Sequence, residues 1–340
     1  MSVSNDPVQV GEIIVGRYRV ERLLGRGAMG VVALATEIES GQTRAIKLLP
    51  RSAHANETAV ERFFREARAM SRLTSEHAVR VYEAEILPSG APYMVMEHLE
   101  GADLGDALSR RGALTAHEAA DFVLQACEVL SDAHALGIVH RDLKPTNLFV
   151  TRRADGSTCI KVLDFGLAKA LFPEEGNADL TLTNTVLGSP AYMSPEQLRS
   201  AKDVDPRSDI WSIGVVLYQL VTGRLPFRGR SATELIGQIL VDTPEKPSSI
   251  RPGLPHALDA AILRCLEKQP EARYQSMREL GAALQPFVPP RPIAPTRPSA
   301  PEELAGPAPS PTSTPWALII ALTVVAALVA LLLISMMFLR

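Results

Sequence analysis

The chain has 340 residues, 46% of them hydrophobic, with a formal net charge of −3 and three cysteines. This length allows one large or two modest domains with a substantial core. The small negative net charge argues against a protein that coats nucleic acid or an anionic membrane surface. Cys127, Cys159 and Cys265 fit neither a zinc motif nor a disulfide framework, which favours buried thiols in a reducing compartment. The first residues lack the basic start and long apolar run of a signal peptide.

Residues 18–49 have the pattern of three antiparallel strands. Apolar residues alternate in the first two strands, and Glu39-Ser40-Gly41-Gln42 supplies a turn before the third. Between the first two strands lies Gly25-Arg26-Gly27-Ala28-Met29-Gly30, whose glycines let backbone amides approach a polyphosphate. A dinucleotide-binding turn would need a helix directly after the glycines, whereas here the β-branched Val31-Val32 continues as a strand.

Two amphipathic helices are predicted from the spacing of apolar residues. The first covers 58–73, where apolar residues recur at helical spacing. The second covers 115–137, where Thr115 and Glu118 have the pattern of a capping box and Gly137 ends the helix. Two histidines in the second helix, His117 and His134, are interpreted as ordinary helix residues without metal-ligand spacing.

Most of the candidate catalytic and metal-binding residues lie in His140-Arg141-Asp142-Leu143-Lys144-Pro145-Thr146-Asn147, followed by Asp164-Phe165-Gly166. The carboxylate of Asp142 can orient and deprotonate an attacking hydroxyl, and the ammonium of Lys144 can neutralise charge on a phosphoryl group in transfer. Asn147 and Asp164 offer the oxygen ligands that magnesium, a hard cation, prefers. Phosphoryl transfer from ATP needs a set of residues of this kind.

These stretches resemble the catalytic loop, metal-binding turn and glycine-rich loop of protein kinases, and the chain is similar to the bacterial Hanks-type serine/threonine kinases over about 18–287. The resemblance implies an α+β fold of two lobes. A small antiparallel-sheet lobe is expected at about 18–97 and a mainly helical lobe at about 101–287, after an N-terminal tail at 1–17.

The resemblance also implies roles for residues of the active site. Asp142 would be the catalytic base, Lys144 would assist it, and Lys47 would grip the α- and β-phosphates. Two glutamates are candidates for the ion-pair partner of Lys47, and Glu66 is favoured over Glu61 because it shares the apolar face of its helix. Lys47 is expected to lie over the cleft and outside the core, so its loss would leave the fold intact.

A set of nucleotide-contacting residues follows from the same resemblance. Met96 would be the gatekeeper, and the backbones of Glu97 and Leu99 would bond to adenine. Asp103 would meet the ribose or a basic substrate residue, with a helix-start carboxylate as the alternative. The full predicted set is Leu24, Gly25, Gly27, Gly30, Val32, Ala45, Lys47, Met96, Glu97, Leu99, Asp103 and Phe149. The implied cofactors are ATP and Mg²⁺, with Mn²⁺ as a substitute, and Asn147 and Asp164 would hold the metal.

Regulation is expected in the segment 167–194. Kinases with an arginine before the catalytic aspartate, as in Arg141, generally neutralise it with a phosphorylated activation segment, and Thr181 and Thr183 are the predicted phosphorylation sites. Structural support is predicted from His140, Arg141, Phe165, Gly166, Ser189, Glu196, Asp209 and Arg273. Within that set Glu196 should pair with Arg273, and Asp209 should anchor the catalytic loop from a buried helix.

The end of the chain changes composition sharply. Residues 288–315 are rich in proline, alanine and serine and are predicted to be a disordered linker. Residues 316–339 form an uncharged apolar run that would make a helix of roughly 34 Å, enough to span a bilayer. We therefore expect a single-pass protein of the cell membrane, with a cytoplasmic kinase domain and the C-terminus outside. A homodimer that supports trans-autophosphorylation is an alternative to a monomer.

The predicted function is serine/threonine protein phosphorylation in membrane-anchored signalling, with protein substrates as partners. Two alternatives share the fold. One is a pseudokinase or ATP-binding scaffold, which would normally lack Lys47, Asp142 or Asp164, all present here. The other is a small-molecule kinase, which the peptide-binding type of segment at 188–196 disfavours.

Overall fold

The computed structural model of the protein describes residues 7–27, 30–165, 190–200 and 204–288. In these ranges the strands are β1 (Ile13–Ile14), β2 (Tyr18–Gly27), β3 (Gly30–Glu37), β4 (Thr43–Leu48), β5 (Val81–Ile86), β6 (Pro92–Glu97), β7 (Ala102–Asp103), β8 (Leu148–Arg152) and β9 (Thr158–Val162). The helices are α1 (Glu57–Ser71), α2 (Leu104–Arg111), α3 (Ala116–Ala135), α4 (Pro195–Arg199), α5 (Pro206–Thr222), α6 (Ala232–Val241), α7 (Pro247–Ile250), α8 (His256–Cys265) and α9 (Met277–Leu284).

The N-terminal lobe is built on a six-stranded sheet in the order β1-β2-β3-β4-β6-β5, and every neighbouring pair is antiparallel. The three strands predicted over 18–49 are present as β2, β3 and β4. Register places Val32 opposite Lys47 and Ala45 opposite Met96. Because opposite residues and alternate residues share a face of a sheet, all four side chains project from the same face.

Gly30 begins β3 with a backbone angle that other residues rarely adopt. Its φ is 129°, and a Cβ there would overlap the carbonyl oxygen of Leu48 on the neighbouring strand. The glycine was predicted to allow close approach of phosphate. The structure gives it another reason, because the close approach is between two strands of the sheet.

The packed lobe extends further upstream than the predicted start at Tyr18. Val8 and Ile14 are each 2% exposed and lie in a core cluster on the sheet with Tyr18 and Val20. Ile14 lies in β1, which pairs with β2, so the packed lobe includes part of the segment 1–17 that the sequence predicts to be a tail. Their short apolar stretch has too little periodicity to indicate a strand by itself.

The C-terminal lobe is organised around α3 and α5. Helix α3 buries the apolar stripe that its sequence predicts, formed by Phe122, Ala126, Val129, Leu130 and Ala133. Helix α5 is buried along most of its length, and a Cβ at Gly214 would overlap Cys265 of α8, so the glycine permits the close helix contact. Cys127, Cys159 and Cys265 are buried and unpaired, as predicted. The two-lobed α+β architecture predicted from the sequence is confirmed.

The start of α3 shows a local correction. The side chain of Thr115 caps the helix by accepting a hydrogen bond from the Glu118 amide at 3.2 Å. A capping box also requires the Glu118 side chain to bond to the Thr115 amide. Instead, the Glu118 carboxylate accepts hydrogen bonds from the guanidinium of Arg111 at 2.8 and 3.1 Å. A charged partner in reach makes a stronger hydrogen bond to a carboxylate than a neutral amide does.

The predicted linker at 288–315, except for Val288, and the predicted membrane span at 316–339 lie outside the described residues. Within the ranges that the structure describes, none of the helices has both the length and the apolar character needed to cross a bilayer.

Candidate active site

The catalytic loop follows α3 and places Asp142 beside two other predicted residues. The Nζ of Lys144 lies 2.9 Å from Oδ2 of Asp142, and Nδ2 of Asn147 donates to the Asp142 backbone carbonyl at 2.7 Å. The Asp142 side chain is 13% exposed and that of Lys144 is 25% exposed. A partly shielded carboxylate with an ammonium at its side is an arrangement that can accept a proton from a hydroxyl while charge develops nearby.

Asp209 holds the backbone of this loop from inside α5. Its carboxylate is fully buried and accepts hydrogen bonds from the amides of His140 and Arg141, both at 2.8 Å. Arg141 has a φ of 67°, a left-handed conformation that is costly for a residue with a side chain. The two bonds from Asp209 compensate that strain, which is the anchoring geometry that the sequence predicts.

His134 is a further hydrogen-bond partner of Asp209 that the sequence analysis missed. Its Nε2 lies 2.7 Å from Oδ2 of Asp209. The sequence predicts an ordinary helix residue here, because the spacing of residues along α3 carries no signal of a partner 75 positions later. The buried carboxylate therefore receives one side-chain and two backbone hydrogen bonds, as a buried charge requires.

His140 packs under the turn at Asp164 and has no role as a base. Its ring centre lies 4.9 Å from that of Phe165, and both side chains are completely buried. Nε2 lies 2.9 Å from the Leu163 carbonyl, while Nδ1 lies 3.3 Å from the Asp142 amide. One neutral tautomer satisfies both contacts, and burial lowers the pKa of His140, so the ring is neutral at physiological pH.

Lys47 joins both lobes through two carboxylates. Its Nζ lies 2.8 Å from Oε1 of Glu66 on α1 and 2.8 Å from Oδ1 of Asp164. The pairing is with Glu66, whereas Glu61 pairs with the exposed Arg65 at 2.9 Å. Asp164 has a φ of 44°, a second left-handed residue at the site.

The electrostatics of this triad favour the charged lysine. Burial works against the ammonium, but attraction by Asp164 and Glu66 outweighs it and raises the pKa of Lys47. Burial raises the pKa of Glu66 despite the neighbouring lysine. For Asp164, burial also acts to raise the pKa, but the attraction of Lys47 outweighs it, so the pKa of Asp164 is lowered.

The expectation that Lys47 lies outside the core is wrong. Its side chain is only 5% exposed, and so is that of Glu66. The reason is the position of α1, which covers the sheet at the strand that carries the lysine. Replacement of Lys47 would therefore affect stability as well as chemistry.

A cavity of about 640 Å³ lies between the lobes and next to Lys47. Most of the predicted nucleotide residues line it, namely Leu24, Gly25, Val32, Ala45, Lys47, Met96, Glu97, Leu99, Phe149 and the metal-site residue Asp164. Residues that the sequence analysis missed also line it, namely Arg22, Met70, Val79, His98, Glu100, Gly101 and Leu163. An apolar slot with polar groups at one end suits a nucleotide with an aromatic base and a polyphosphate.

Three predicted nucleotide residues are absent from the described lining of this cavity, namely Gly27, Gly30 and Asp103. Asp103 caps α2, where its Oδ1 accepts from the Asp106 amide at 2.9 Å. Of its two predicted roles, the helix-start carboxylate is the one that the geometry shows. The Glu97 amide donates to the Arg80 carbonyl at 2.9 Å, so this amide is already bonded within the protein.

The residues predicted to hold a metal fit Mg²⁺ by their chemistry. Asn147 uses its amide nitrogen on the Asp142 backbone, so its amide oxygen points away from that bond. Asp164 keeps Oδ2 beyond its bond to Lys47, and its side chain is 49% exposed. Residues 7–27, 30–165, 190–200 and 204–288 contain no cluster of three or more His, Cys, Asp and Glu side chains suited to a metal. A site with two protein oxygens, completed by phosphate and water, is typical of Mg²⁺.

Glu196 and Arg273 form the buried ion pair that the sequence predicts. Two guanidinium nitrogens bind the two carboxylate oxygens at 2.7 and 2.8 Å, and Ser208 donates to Oε1 at 2.7 Å. Arg273 is completely buried. Burial acts to raise the pKa of Glu196, but the hydrogen bond and charge of Arg273 outweigh it and lower the pKa to about 2.

The ion pair between Glu196 and Arg273 makes the free energy of unfolding depend on pH. Because the folded state depresses the pKa of Glu196 below its unfolded value, the stabilisation is present above about pH 4.5 and is lost as the pH falls towards 2. Glu196→Gln should lower the free energy of unfolding at pH 7 by about 3 kcal/mol and flatten its loss in acid. Denaturant unfolding at several pH values measures this, and Glu271→Gln at a carboxylate that is 72% exposed is the matched control. An unchanged acid profile in Glu196→Gln would contradict the assignment.

Four predicted residues, Gly166, Thr181, Thr183 and Ser189, lie outside the described residues.

The described part of the site is nevertheless specific: a sheet lobe and a helical lobe meet at a nucleotide-sized cleft that holds a Lys–Glu pair, a carboxylate with an adjacent lysine, and an Asn–Asp pair of oxygen donors. That combination defines the class of two-lobed phosphotransferases.

Comparison with known proteins gives the family. The protein kinase domain family matches residues 18–283, and the chain belongs to this family, whose members use ATP and a divalent metal, typically Mg²⁺. The structure is similar to the kinase domain of Mycobacterium tuberculosis PknI, with a TM-score of 0.64 and 28% identity over 82% of this chain and 98% of that one.

Two curated relatives are serine/threonine-protein kinases of bacteria. Serine/threonine-protein kinase pkn3 of Myxococcus xanthus is 40% identical over 278 residues, which are 81% of this chain and 51% of that protein. Serine/threonine-protein kinase PknB of Mycobacterium tuberculosis is 38% identical over 271 residues, which are 79% of this chain and 42% of that protein. The chain thus spans about half the length, or less, of these relatives.

Proposed function

We propose that this chain is a serine/threonine protein kinase that transfers the γ-phosphoryl group of ATP to hydroxyl groups of proteins. The observation that carries the proposal is the placement of Asp142 and Lys144, 2.9 Å apart, in the same cleft as the buried triad of Lys47, Glu66 and Asp164. Membership of the kinase family and similarity to bacterial serine/threonine kinases support it.

The residues divide the proposed reaction among them. A serine or threonine hydroxyl of the substrate donates a hydrogen bond to Asp142, which takes the proton as the oxygen attacks the γ-phosphorus and the bond to the β-phosphate oxygen breaks. Lys144 stabilises the charge on the transferred group, and Lys47, positioned by Glu66, binds the α- and β-phosphates. Mg²⁺ held by Asn147 and Asp164 would supply further neutralisation of phosphate charge.

The acceptor class distinguishes this function from a scaffold and from a small-molecule kinase. Purified full chain with labelled ATP and Mg²⁺ should be offered casein, its own serines and threonines, and an aminoglycoside in parallel. We expect label on protein as phosphoserine or phosphothreonine. Label in the aminoglycoside alone, or nucleotide binding without transfer to any acceptor, would contradict the proposal and favour one of the two alternatives.

We also propose that phosphorylation of Thr181 or Thr183 activates the chain. The support is Arg141, whose buried Nε has no hydrogen-bond partner among the described residues. A phosphate, with a charge of about −1.5 to −2, would give this guanidinium an anionic partner. The double variant Thr181→Ala/Thr183→Ala should then transfer phosphate to casein more slowly than the native chain.

Membrane anchoring is a further proposal, supported by the uncharged run at 316–339. The kinase domain would stay in the cytoplasm, and the C-terminus would lie outside. Confinement raises local concentration, so the full chain in lipid vesicles should autophosphorylate faster than a chain ending at Pro289, the end of the compact unit. Initial rates at matched dilute concentration measure this. Equal rates, or a full chain that does not co-sediment with vesicles, would contradict anchoring.

A further inference from the structure

Gln197 of α4 reaches the catalytic loop, and both ends of its side-chain amide are hydrogen-bonded. Nε2 donates to the backbone carbonyl of Arg141 at 3.0 Å, and Oε1 accepts from the backbone amide of Ser194 at 3.0 Å. These partners fix the orientation of the amide, because only the nitrogen can donate to a carbonyl and only the oxygen can accept from an N–H. The side chain thus joins the start of α4 to the residue before Asp142.

The carbonyl of Arg141 belongs to the peptide plane that leads into Asp142. The N–H of the same plane, the Asp142 amide, donates to Nδ1 of His140 at 3.3 Å. Both polar groups of the plane are therefore hydrogen-bonded. Because a peptide unit is planar and rigid, the orientation of this plane sets where the Asp142 Cα lies and in which directions its carboxylate can point.

The bond from Gln197 acts on a strained part of the loop. Arg141 has a φ of 67°, a conformation that is costly for a residue with a side chain and persists only where the surroundings hold it. Asp209 holds the peptide plane before this residue, through the Arg141 amide at 2.8 Å. Gln197 holds the peptide plane after it, through the Arg141 carbonyl. The two side chains therefore fix the strained residue from both sides.

The backbone of Gln197 is itself firmly held. Its amide donates to Oγ of Ser194 at 3.3 Å, which completes a capping box at the start of α4. The preceding residue, Glu196, accepts two hydrogen bonds from Arg273, at 2.7 and 2.8 Å, and one from Ser208 of α5 at 2.7 Å. A side chain on such a support can hold a neighbouring loop in a precise orientation.

We propose that Gln197 is a positioning residue for phosphoryl transfer, which acts through the peptide plane between Arg141 and Asp142 and orients the catalytic carboxylate. The inference rests on the proposed function and adds a residue to its machinery. If Gln197 only capped α4, glutamate would serve as well, because either residue completes a capping box. A carboxylate, however, has no hydrogen to donate to the Arg141 carbonyl. Gln197→Glu therefore separates the two roles.

This variant should keep its stability and lose its rate. We expect the single-turnover rate of label transfer to casein at saturating ATP to fall by about 10-fold or more, because a small displacement of a reacting group is costly. The unfolding midpoint and the nucleotide Kd should stay close to native. Gln238→Glu is the matched control, since Gln238 is also half-buried and accepts from a backbone amide, that of Arg228, at 2.9 Å. We expect a native rate in this control.

A native rate of transfer in Gln197→Glu would overturn the inference, while transfer by the native chain would uphold the kinase function. Gln197→Met removes both hydrogen bonds without adding a charge, and should lower the rate by about 10-fold as well. If Gln197→Glu does not fold, Gln197→Met provides the same comparison. Absence of transfer by the native chain to every acceptor would overturn the kinase function itself, and this inference with it.

A double variant shows whether Gln197 acts through Asp142. In the Asp142→Asn background, Gln197→Glu should change the remaining rate by less than about 2-fold, because the carboxylate that it orients is no longer there. A further loss as large as that in the native background would show that the two residues act independently, and would overturn the inference.

Discussion

Asp142→Asn is expected to slow phosphoryl transfer by about 10²–10⁴-fold while nucleotide binding stays close to that of the native chain. An amide cannot accept the proton of the attacking hydroxyl, although it keeps the size of the carboxylate. The backbone of the loop is held by Asp209, and the Asp142 carbonyl by Asn147, so neither support depends on the lost charge. The rate of label transfer from ATP at saturating nucleotide measures the effect.

Asp155→Asn is the matched control for this variant. Asp155 lies in the exposed turn between β8 and β9, where it accepts hydrogen bonds from the amide and hydroxyl of Ser157. We expect a native rate of transfer in this control. Near-native turnover in Asp142→Asn would show that the residue is not the base.

Lys47→Met is expected to abolish measurable transfer and also to lower the free energy of unfolding by about 3 kcal/mol. The lysine binds two carboxylates, and Glu66 is only 4% exposed, so methionine would leave a buried anion without a partner. Thermal and denaturant unfolding measure the loss of stability. Lys246→Met, at an exposed lysine, should change stability by less than about 0.5 kcal/mol.

The same variant should be more stable in mild acid than in base. Burial already raises the pKa of Glu66, and removal of Lys47 takes away the attraction that opposes this shift. The folded variant would then hold a proton that the unfolded chain releases, so its stability falls as the pH rises above about 4.5, the ordinary pKa of a glutamate. A destabilisation that does not depend on pH would contradict the role given to the Lys47–Glu66 pair.

Much of the architecture could be predicted because the informative residues form patterns that are local in sequence. Alternating apolar residues predict β2 to β4, and the stripe along α3 predicts its buried face. Partners that are far apart, such as Glu196 and Arg273, became predictable through the family resemblance, since no spacing rule joins residues 77 positions apart.

The features that were missed depend on three-dimensional packing. Lys47 is buried because α1 covers the sheet at its strand. His134 bonds to Asp209 because α3 packs against α5. The capping box at Thr115 failed because Arg111 of a different helix reaches Glu118. In each case the sequence pattern identifies the residue type, but the partner comes from a different secondary-structure element whose position the pattern does not give.

The central claim is that this cleft transfers phosphate from ATP to protein hydroxyls. The most direct measurement is the initial rate at which the purified full chain incorporates label from γ-labelled ATP and Mg²⁺ into protein serine and threonine, beside Asp142→Asn and Asp164→Asn. We predict incorporation by the native chain that is lost in both variants. Stabilisation of the native chain by nucleotide, with no incorporation into any protein, would contradict the claim and indicate an ATP-binding scaffold.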